Sequence, residues 1–338
     1  MSVGLDIGSK TIKVVELAKD GANWRLKASG IVSYKGVPPE QSKEDKELAP
    51  LSTAIKKLYK DAKISSKNVA ISLPETQVFT RTVKFPPLND AEIASAVKWE
   101  ADQYIPIPLS EAIVEHQIIE RRENTTPAEV LVLLVATPKL TVEKYARVVE
   151  MSGLNLVVVE TELMALVRSL APIDQTVLLV DFGAKSTDIA VSKKGMLSFS
   201  RSIPTAGDAF TRAVSQTLGV EERQAEEYKK AYGLSGGQLQ GKIKTALDPV
   251  FRMVADEMKK AIHFYQSDEK GDSPRSAVLS GGTAGMPEVA SVLTKLLGIE
   301  VVVGNPFSKI NVDPAAVRSL TGYAPLYSVA AGLALREE

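Results

Sequence analysis

The feature that most constrains this chain is a pair of Asp-x-Gly hairpins, one at the start and one just past the middle. The second reads Leu178-Leu-Val-Asp-Phe-Gly-Ala-Lys-Ser-Thr-Asp-Ile-Ala-Val191. An apolar run ends at Asp181, small and hydroxylated residues follow, and alternation resumes at Ile189 and Val191. That pattern is strand, tight turn, strand. Gly183 lets the backbone turn sharply with no Cβ in the way of a ligand, and successive N–H groups in such a turn cup an anion. The first copy is Val3-Gly-Leu-Asp-Ile-Gly-Ser-Lys-Thr-Ile-Lys-Val-Val15, with Asp6 and Gly8 in the matching places. One such hairpin reads as an ordinary turn with a capping Asp. Two of them, one per half, predict two halves built on one plan.

Composition narrows the functions open to such a chain. Its 338 residues suffice for two domains with separate cores. Lys plus Arg and Asp plus Glu number 41 each, so no global field attracts nucleic acid or acidic membranes. There is no cysteine, which excludes disulfides, thiolate metal sites and Cys nucleophiles. His116 and His263 lie far apart in the sequence, which argues against a histidine metal centre or triad. The best apolar run, Val130 to Ala136, is far short of the roughly twenty residues that span a bilayer. The chain enters a strand at once, leaving no room for a signal peptide. The expectation is a soluble cytoplasmic protein with no direct membrane insertion, reaching a membrane only through a partner.

Along the chain, Trp24 to Val32 alternates like a further strand, and Leu48 to Ala62 carries a helical stripe at Leu51, Ala54, Ile55 and Leu58. Strands are expected at 69–73, 79–83, 113–119 and 130–136. Asn89 with Glu92 three residues on has capping-box spacing, and opens a helix that stops at Ile105-Pro-Ile-Pro108. A helix at 141–151, a strand at 155–159 and a helix at 161–170 precede the central hairpin. A strand at 197–203 then leads into Thr205-Ala-Gly-Asp-Ala-Phe210 and a helix to Leu218. Helices follow at 221–231 and 249–265. A strand at 277–279 enters Ser280-Gly-Gly-Thr-Ala-Gly-Met-Pro287 before a helix at 288–297. A strand at 300–303 and a small-residue helix at 328–335 end the chain.

These motifs together resemble the actin, sugar-kinase and heat-shock-chaperone ATPase superfamily, in which two similar domains close on ATP. The resemblance implies an α/β, actin-like ATPase fold: two related domains, a nucleotide cleft between them and an inserted FtsA-like subdomain in the first. It implies Gly8, Ser9, Lys10 and Thr11 as phosphate loop one. It likewise implies Gly183, Ala184, Lys185, Ser186 and Thr187 as loop two, and Gly281, Gly282 and Thr283 as the adenosine motif. Gly207 belongs to a Gly-Asp-x-Phe turn, and Glu226 and Lys229 match residues that touch ribose and adenine. Mg²⁺ bound with ATP needs carboxylates that hold metal-bound water, and Asp6 and Asp181 are placed for that. Glu160 resembles the residue that orients attacking water. Read without the resemblance, Glu160 is a helix N-terminal charge stabilised by the dipole, and Glu226 and Lys229 are a solvated helix face. Lys10 and Lys185 are either phosphate contacts or solvated hairpin tips.

A narrower resemblance rests on Phe85-Pro-Pro-Leu and Val97-Lys-Trp-Glu-Ala-Asp-Gln-Tyr-Ile-Pro-Ile-Pro108. With Gly4-Leu-Asp-Ile-Gly, Val180-Asp-Phe-Gly-Ala and Ala330-Ala-Gly-Leu-Ala-Leu335, this is similar to the PilM family of actin-like type IV pilus assembly proteins. That resemblance implies a peptide-binding insertion with Trp99, Tyr104, Ile105 and Ile107 in its groove. It implies the N-terminal cytoplasmic peptide of the inner-membrane protein PilN as partner, contact with other pilus assembly proteins, and self-association. The implied division is 1–83 with 155–177 as first domain, 84–154 as insertion and 178–338 as second domain, with 220–275 a helical subdomain. Departures from the chaperone loop at Ala184 and Lys185 imply binding with slow hydrolysis at most. The alternative is an FtsA-like polymerising division protein, which reaches the membrane by an amphipathic C-terminal helix, whereas this chain stops at Leu335-Arg-Glu-Glu338. A sugar kinase of the same fold needs a substrate pocket with a positioned base, for which no motif is seen.

Overall fold

The computed structural model describes residues 2–124, 126–237, 239–267 and 272–337. Its first sheet opens with an antiparallel meander of β1 (Ser2–Ile7), β2 (Thr11–Asp20) and β3 (Asn23–Ser33). β1 and β2 bury Val3, Leu5, Ile7, Ile12, Val14, Val15 and Leu17. A strand covered on both faces has such a run of apolar residues rather than strict alternation. Helix α1 (Asp45–Asp61) crosses to β4 (Asn68–Leu73), which pairs in parallel with β1.

The chain then leaves this sheet for a small one of its own. It comprises β5 (Phe79–Phe85), helix α2 (Asp90–Tyr104), β6 (Ala112–Arg122) and β7 (Glu129–Pro138), in strand order β5-β7-β6. α2 starts with the expected capping box: Asn89 accepts from the Glu92 N–H, and Glu92 accepts from the Asn89 N–H. Each bond satisfies a donor that a helix start leaves open. Helix α3 (Lys139–Met151) and β8 (Asn155–Thr161) return to the first sheet, where β8 pairs with β4. Tyr145, Val148 and Val149 of α3 are buried in that sheet's core. The insertion's own sheet therefore begins at Phe79 and ends at Pro138, so that α3, within the expected 84–154 insertion, packs with the first domain.

Helix α4 (Glu162–Leu170) leads into the second half, where the plan repeats. β9 (Val177–Phe182), β10 (Thr187–Lys193) and β11 (Met196–Ile203) form an antiparallel meander. Helices α5 (Gly207–Leu218), α6 (Glu222–Tyr232) and α7 (Lys242–Ser267) follow, then β12 (Ser276–Ser280), α8 (Val289–Leu297) and β13 (Glu300–Val303). Strand order β11-β10-β9-β12-β13 reproduces β3-β2-β1-β4-β8 of the first sheet. α7 runs seven residues ahead of Pro249, where the sequence suggests its start. Proline removes one N–H and crowds the preceding turn, but buried Ile243, Ala246 and Leu247 continue the apolar stripe across it and hold the turn in place.

The last segment goes back to the first sheet. β14 (Ile310–Asn311) pairs with β3, and after α9 (Pro314–Leu320) helix α10 (Ser328–Ala334) packs on α4, β1 and β2. Ala330, Ala331 and Ala334 share a core with Val15 and Leu17. A division that gives 178–338 to the second domain thus places this return in the wrong layer. A short helix of small residues carries no pattern that tells which sheet it covers.

Close approach at α10 requires glycine. A Cβ on Gly332 would lie 1.9 Å from the Ala165 carbonyl oxygen of α4, and one on Gly4 would lie 2.1 Å from the Ala330 oxygen. Backbone cannot swing aside as a side chain can. Gly332→Ala is expected to cost about 3 kcal/mol or more in urea unfolding, at the upper end of overpacking. Gly322→Ala, with nothing near its Cβ position, should stay within about 0.5 kcal/mol of the parent. Equal stability of the two variants would contradict the packing described.

Candidate functional site

The two hairpins face one another where the sheets meet. In the first, the Gly8 N–H bonds the Thr11 carbonyl at 3.1 Å and the Tyr34 N–H bonds that of Lys10 at 2.9 Å. A Cβ on Gly8 would lie 3.0 Å from Lys13 Nζ, so the glycine leaves room for an ammonium group beneath the turn. In the second, the Gly183 N–H bonds the Ser186 carbonyl at 3.0 Å. α5 docks on this turn: the Gly207 and Asp208 N–H groups reach the Gly183 and Ala184 carbonyls at 3.2 and 2.8 Å. Gly281, at φ +83°, passes so close that a Cβ would lie 2.4 Å from the Phe182 oxygen and 2.5 Å from Asp181 Oδ1. Thr283 is buried beside it, with its N–H 3.3 Å from the Phe182 carbonyl. Loop one, loop two, the α5 start and the Gly-Gly-Thr turn therefore converge on one cleft.

Its floor holds more charge than the motifs announce. Asp6 is buried, and Lys13 donates to its Oδ2 at 2.9 Å while its Oδ1 has no partner. Burial works against the Lys13 charge, but Asp6, with Asp181 and Glu162 beyond, lifts its pKa above the ordinary lysine value. Asp181 faces Asp188 across the β9–β10 ladder. Burial, and then the Asp188 charge, pushes Asp181 up to about 7. Asp188 is also raised by burial, against hydroxyl donation from Ser202 and Ser186. Glu75, after β4, accepts from the Leu163 N–H at 2.9 Å, and burial pushes it up to about 8. Glu162, at the start of α4, is raised well above the usual range by burial and by Asp6, Asp188, Asp181 and Glu75.

Five carboxylates thus share one lysine in a place where desolvation penalises charge. Among the described residues no three acidic or histidine groups stand close enough to cage a metal ion directly. The unpartnered Asp6 Oδ1 fits a cation that takes its remaining ligands from water or phosphate oxygens, as Mg²⁺ does.

Several expected residues take other places. Glu160 does not face the cleft: Arg168 binds both its oxygens, at 2.6 and 2.7 Å, and Arg336 adds a third contact at 2.8 Å. The acid that faces the cleft is Glu162, two residues on. Lys229 is buried rather than on a solvated face, donating to the Gly207 carbonyl at 3.0 Å and Thr211 Oγ1 at 2.9 Å, and it pairs with Glu226 at 2.6 Å. Although burial opposes it, donation by Lys229 and Thr211 holds Glu226 down at about 2. Thr187 is buried, its hydroxyl spent on the Thr205 carbonyl at 2.7 Å. Ser9 and Lys185 are exposed, and Lys10 reaches Asp208 across the cleft. Lys13, Glu75, Glu162 and Asp188 carry no motif of their own. Only the unusual count of charges inside apolar strands, at Lys13 and Asp188, was a visible signal.

A second concave place lies beside the insertion. β5 and β11, each at the end of its sheet, meet through the Thr82 hydroxyl and the Ser198 carbonyl at 2.8 Å. Next to this contact is a cavity of about 340 Å³, lined in part by Phe79, Arg81, Leu133, Phe199 and Phe264. The expected groove residues stand one layer back. Ile105 is buried with Phe79 and Ile107 in one cluster, and Tyr104 lies under the Arg81 guanidinium, 4.5 Å from its ring centre. Trp99 is 83% exposed on the outer face of α2. Ile105 is therefore core rather than wall, because the chain turns inward where α2 ends.

Paired sheets of one plan, with hairpin loops facing a shared cleft, define an actin-like ATPase fold. MreB5 of Spiroplasma citri, solved bound to AMPPNP, matches with a TM-score of 0.58 at 14% identity, over 98% of this chain and 93% of that one. FtsA of Streptococcus pneumoniae serotype 2 (strain D39) is 23% identical over 95% of this chain and 79% of its own length. FtsA of Pseudomonas aeruginosa is 26% identical, with less than half of it, 41%, spanned. A model of the family "Type IV pilus assembly protein PilM" matches residues 4–338. A chain of the solved PilM-PilN type IV pilus biogenesis complex is 28% identical with a TM-score of 0.83, over 99% of this chain and 98% of that one. The chain belongs to the PilM family of type IV pilus assembly proteins.

The carboxylate cluster predicts a pH signature. Asp181 and Glu75 titrate near 7 and 8 when folded and near 4 when unfolded. Between those values the folded chain binds more protons, so its stability is expected to fall as pH rises from about 5 to 8. Melting temperature should drop by a few degrees across that window, Mg²⁺ should restore part of it at the alkaline end, and Glu75→Gln should flatten its upper half. A melting temperature that climbs through the window would contradict the assignment.

Proposed function

We propose that this protein is a nucleotide-holding component of the pilus assembly machinery that binds the N-terminal cytoplasmic tail of a PilN-type inner-membrane protein. The observation that carries the reading is the likeness, over nearly the full length of both chains, to a chain of the PilM-PilN complex. It covers the insertion as well as the cleft, and the insertion is where a chain of this fold differs from a plain ATPase. No described helix is long and apolar enough to cross a membrane. The protein would work at the cytoplasmic face of the inner membrane, held there through its partner.

In this reading Mg²⁺ and ATP occupy the cleft. Asp6 and Asp181 hold the ion through its water, and the turns at 8–11 and 183–187 present N–H groups to phosphate. Gly281, Gly282 and Thr283 sit by the adenosine, and Lys13 joins the phosphate ligands. Turnover is slow, since Glu160, the expected water-orienting acid, is bound by two arginines. Asp6→Asn with Asp181→Asn is expected to lower Mg²⁺-ATP affinity about ten- to a hundredfold. Hydrolysis by the parent should stay below about one turnover per second, under the range of typical kinases. Unchanged calorimetric binding in a folded double variant would remove the carboxylates from the site.

The tail would lie in the cavity between β5 and β11, as an extended segment can beside exposed strand edges. A few apolar anchors against Phe79, Phe199 and Phe264 would supply most of the affinity, so binding should depend little on salt. Phe79→Ala is expected to weaken the PilN tail about tenfold or more with ATP binding unchanged. Ile105→Ala should instead lower stability by about 2–4 kcal/mol, as a buried truncation does. Calorimetry with a synthetic tail peptide, alongside urea unfolding, measures both. A tail that binds the Phe79 variant as it binds the parent places the peptide elsewhere.

A further inference from the structure

Lys10 stands at the tip of the first hairpin, and its ammonium group pairs with Asp208 on the first turn of α5. The two residues belong to opposite halves of the molecule. Each is held at its backbone. The Tyr34 N–H bonds the Lys10 carbonyl, and the Asp208 N–H bonds the Ala184 carbonyl within loop two. The pair therefore spans the cleft from one anion-cupping turn to the other. Lys10 also stands close enough to Lys229 to work against that lysine's charge.

We propose that this ion pair is a cross-cleft pin that a nucleotide polyphosphate must break to enter, with Asp208 as the competing anion. The inference rests on the nucleotide reading above. Asp208 holds a negative charge beside a turn whose N–H groups suit phosphate, so it repels the ligand and also occupies Lys10. The pair is weak enough to exchange. The side chain of Lys10 is 51% exposed and that of Asp208 27%, and water screens ion pairs of such exposure. A polyphosphate carries several charges and accepts stronger, charge-assisted bonds. Four methylenes let the ammonium turn from carboxylate to phosphate while its backbone stays fixed. The two halves are then tied through the ligand instead of through Asp208. Lys10 is a nucleotide contact that Asp208 holds in reserve.

The test is calorimetry of Mg²⁺-ATP and of adenosine with the full-length parent, Asp208→Asn, Lys10→Met and the double variant, at low and high salt. Asp208→Asn is expected to tighten ATP about three- to tenfold and Lys10→Met to weaken it by a similar factor. On the Lys10→Met background the gain from Asp208→Asn should shrink to the part due to lifted repulsion. High salt should diminish every difference, and adenosine should bind all four proteins alike. If the parent binds no ATP, the nucleotide reading itself fails. If the parent binds ATP while Asp208→Asn leaves it unchanged or weaker, Asp208 positions Lys10 rather than competing for it, and the pin is overturned. Circular dichroism and melting temperature confirm that each variant is folded.

Discussion

The structure depends on how closely helix α10 can lie on helix α4 and strand β1. At Gly332 and Gly4 the approach leaves no room for even a methyl group, and the contact is made largely by Ala165, Ala330 and Leu333. This contact sits where the chain passes between its halves, since α4 leads out of the first sheet and α10 returns to it. β1 carries Asp6 at its exit, and α4 begins with Glu162. The same crossing therefore sets the distance between Asp6 and Glu162, two of the three acids that reach the cleft from the first half. Larger side chains at the crossing would push α4 outward and open the carboxylate cluster.

Glu160 belongs to this crossing and not to the chemistry. It is buried, with Arg168 bidentate on its two oxygens, and Arg168 reaches on to the Gly332 carbonyl at 2.7 Å. Arg336, just past α10, closes the network from the other side. A carboxylate with this many charge-assisted donors is fully satisfied. Removing Arg168 would leave the buried carboxylate with the single Arg336 contact, and losing a partner in this way costs more than the pair itself contributes. Charges in the cleft show the opposite condition. Five acids there share Lys13, so protons or a cation must make up the balance. One buried network is complete within the chain, the other is not, and the incomplete one marks the ligand site.

The sequence made the plan of the halves readable because the Asp-x-Gly hairpin is a local device: residue spacing alone dictates strand, turn and strand. The capping box at Asn89 and Glu92 was readable for the same reason. What escaped was whatever depends on contacts distant along the chain. Glu160 and Glu162 are two residues apart at a strand-to-helix junction, and nothing local says which faces the cleft. Glu75 looks like a loop acid until the Leu163 N–H is placed against it. Ile105 reads as a groove wall beside two prolines, yet the turn after α2 carries it into the core with Phe79. The return of 305–337 to the first sheet was hidden because small residues in a short helix fit any close packing.

One hairpin joins the two concave sites. β10 starts at Thr187 and Asp188, on the floor of the cleft, and ends at Lys193, whose ammonium group lies 3.3 Å from Glu120 of the insertion. Its partner β11 carries Ser198, which accepts from Thr82, and Phe199, which lines the cavity beside β5. A paired ladder moves as a unit, because sliding one strand costs its hydrogen bonds and turns its side chains to the wrong face. A displacement of loop two is therefore carried along β10 to the ion pair with Glu120 and through β11 to the cavity wall. The contacts at the far end are the Thr82 hydroxyl, ion pairs from Lys193 and Lys194 to Glu120, and a buried apolar cluster in which Ile119, Leu131 and Leu133 of the insertion pack with Leu179, Ala190 and Leu197. The insertion is thus tied to the strands of loop two by a packed apolar layer as well as by polar contacts.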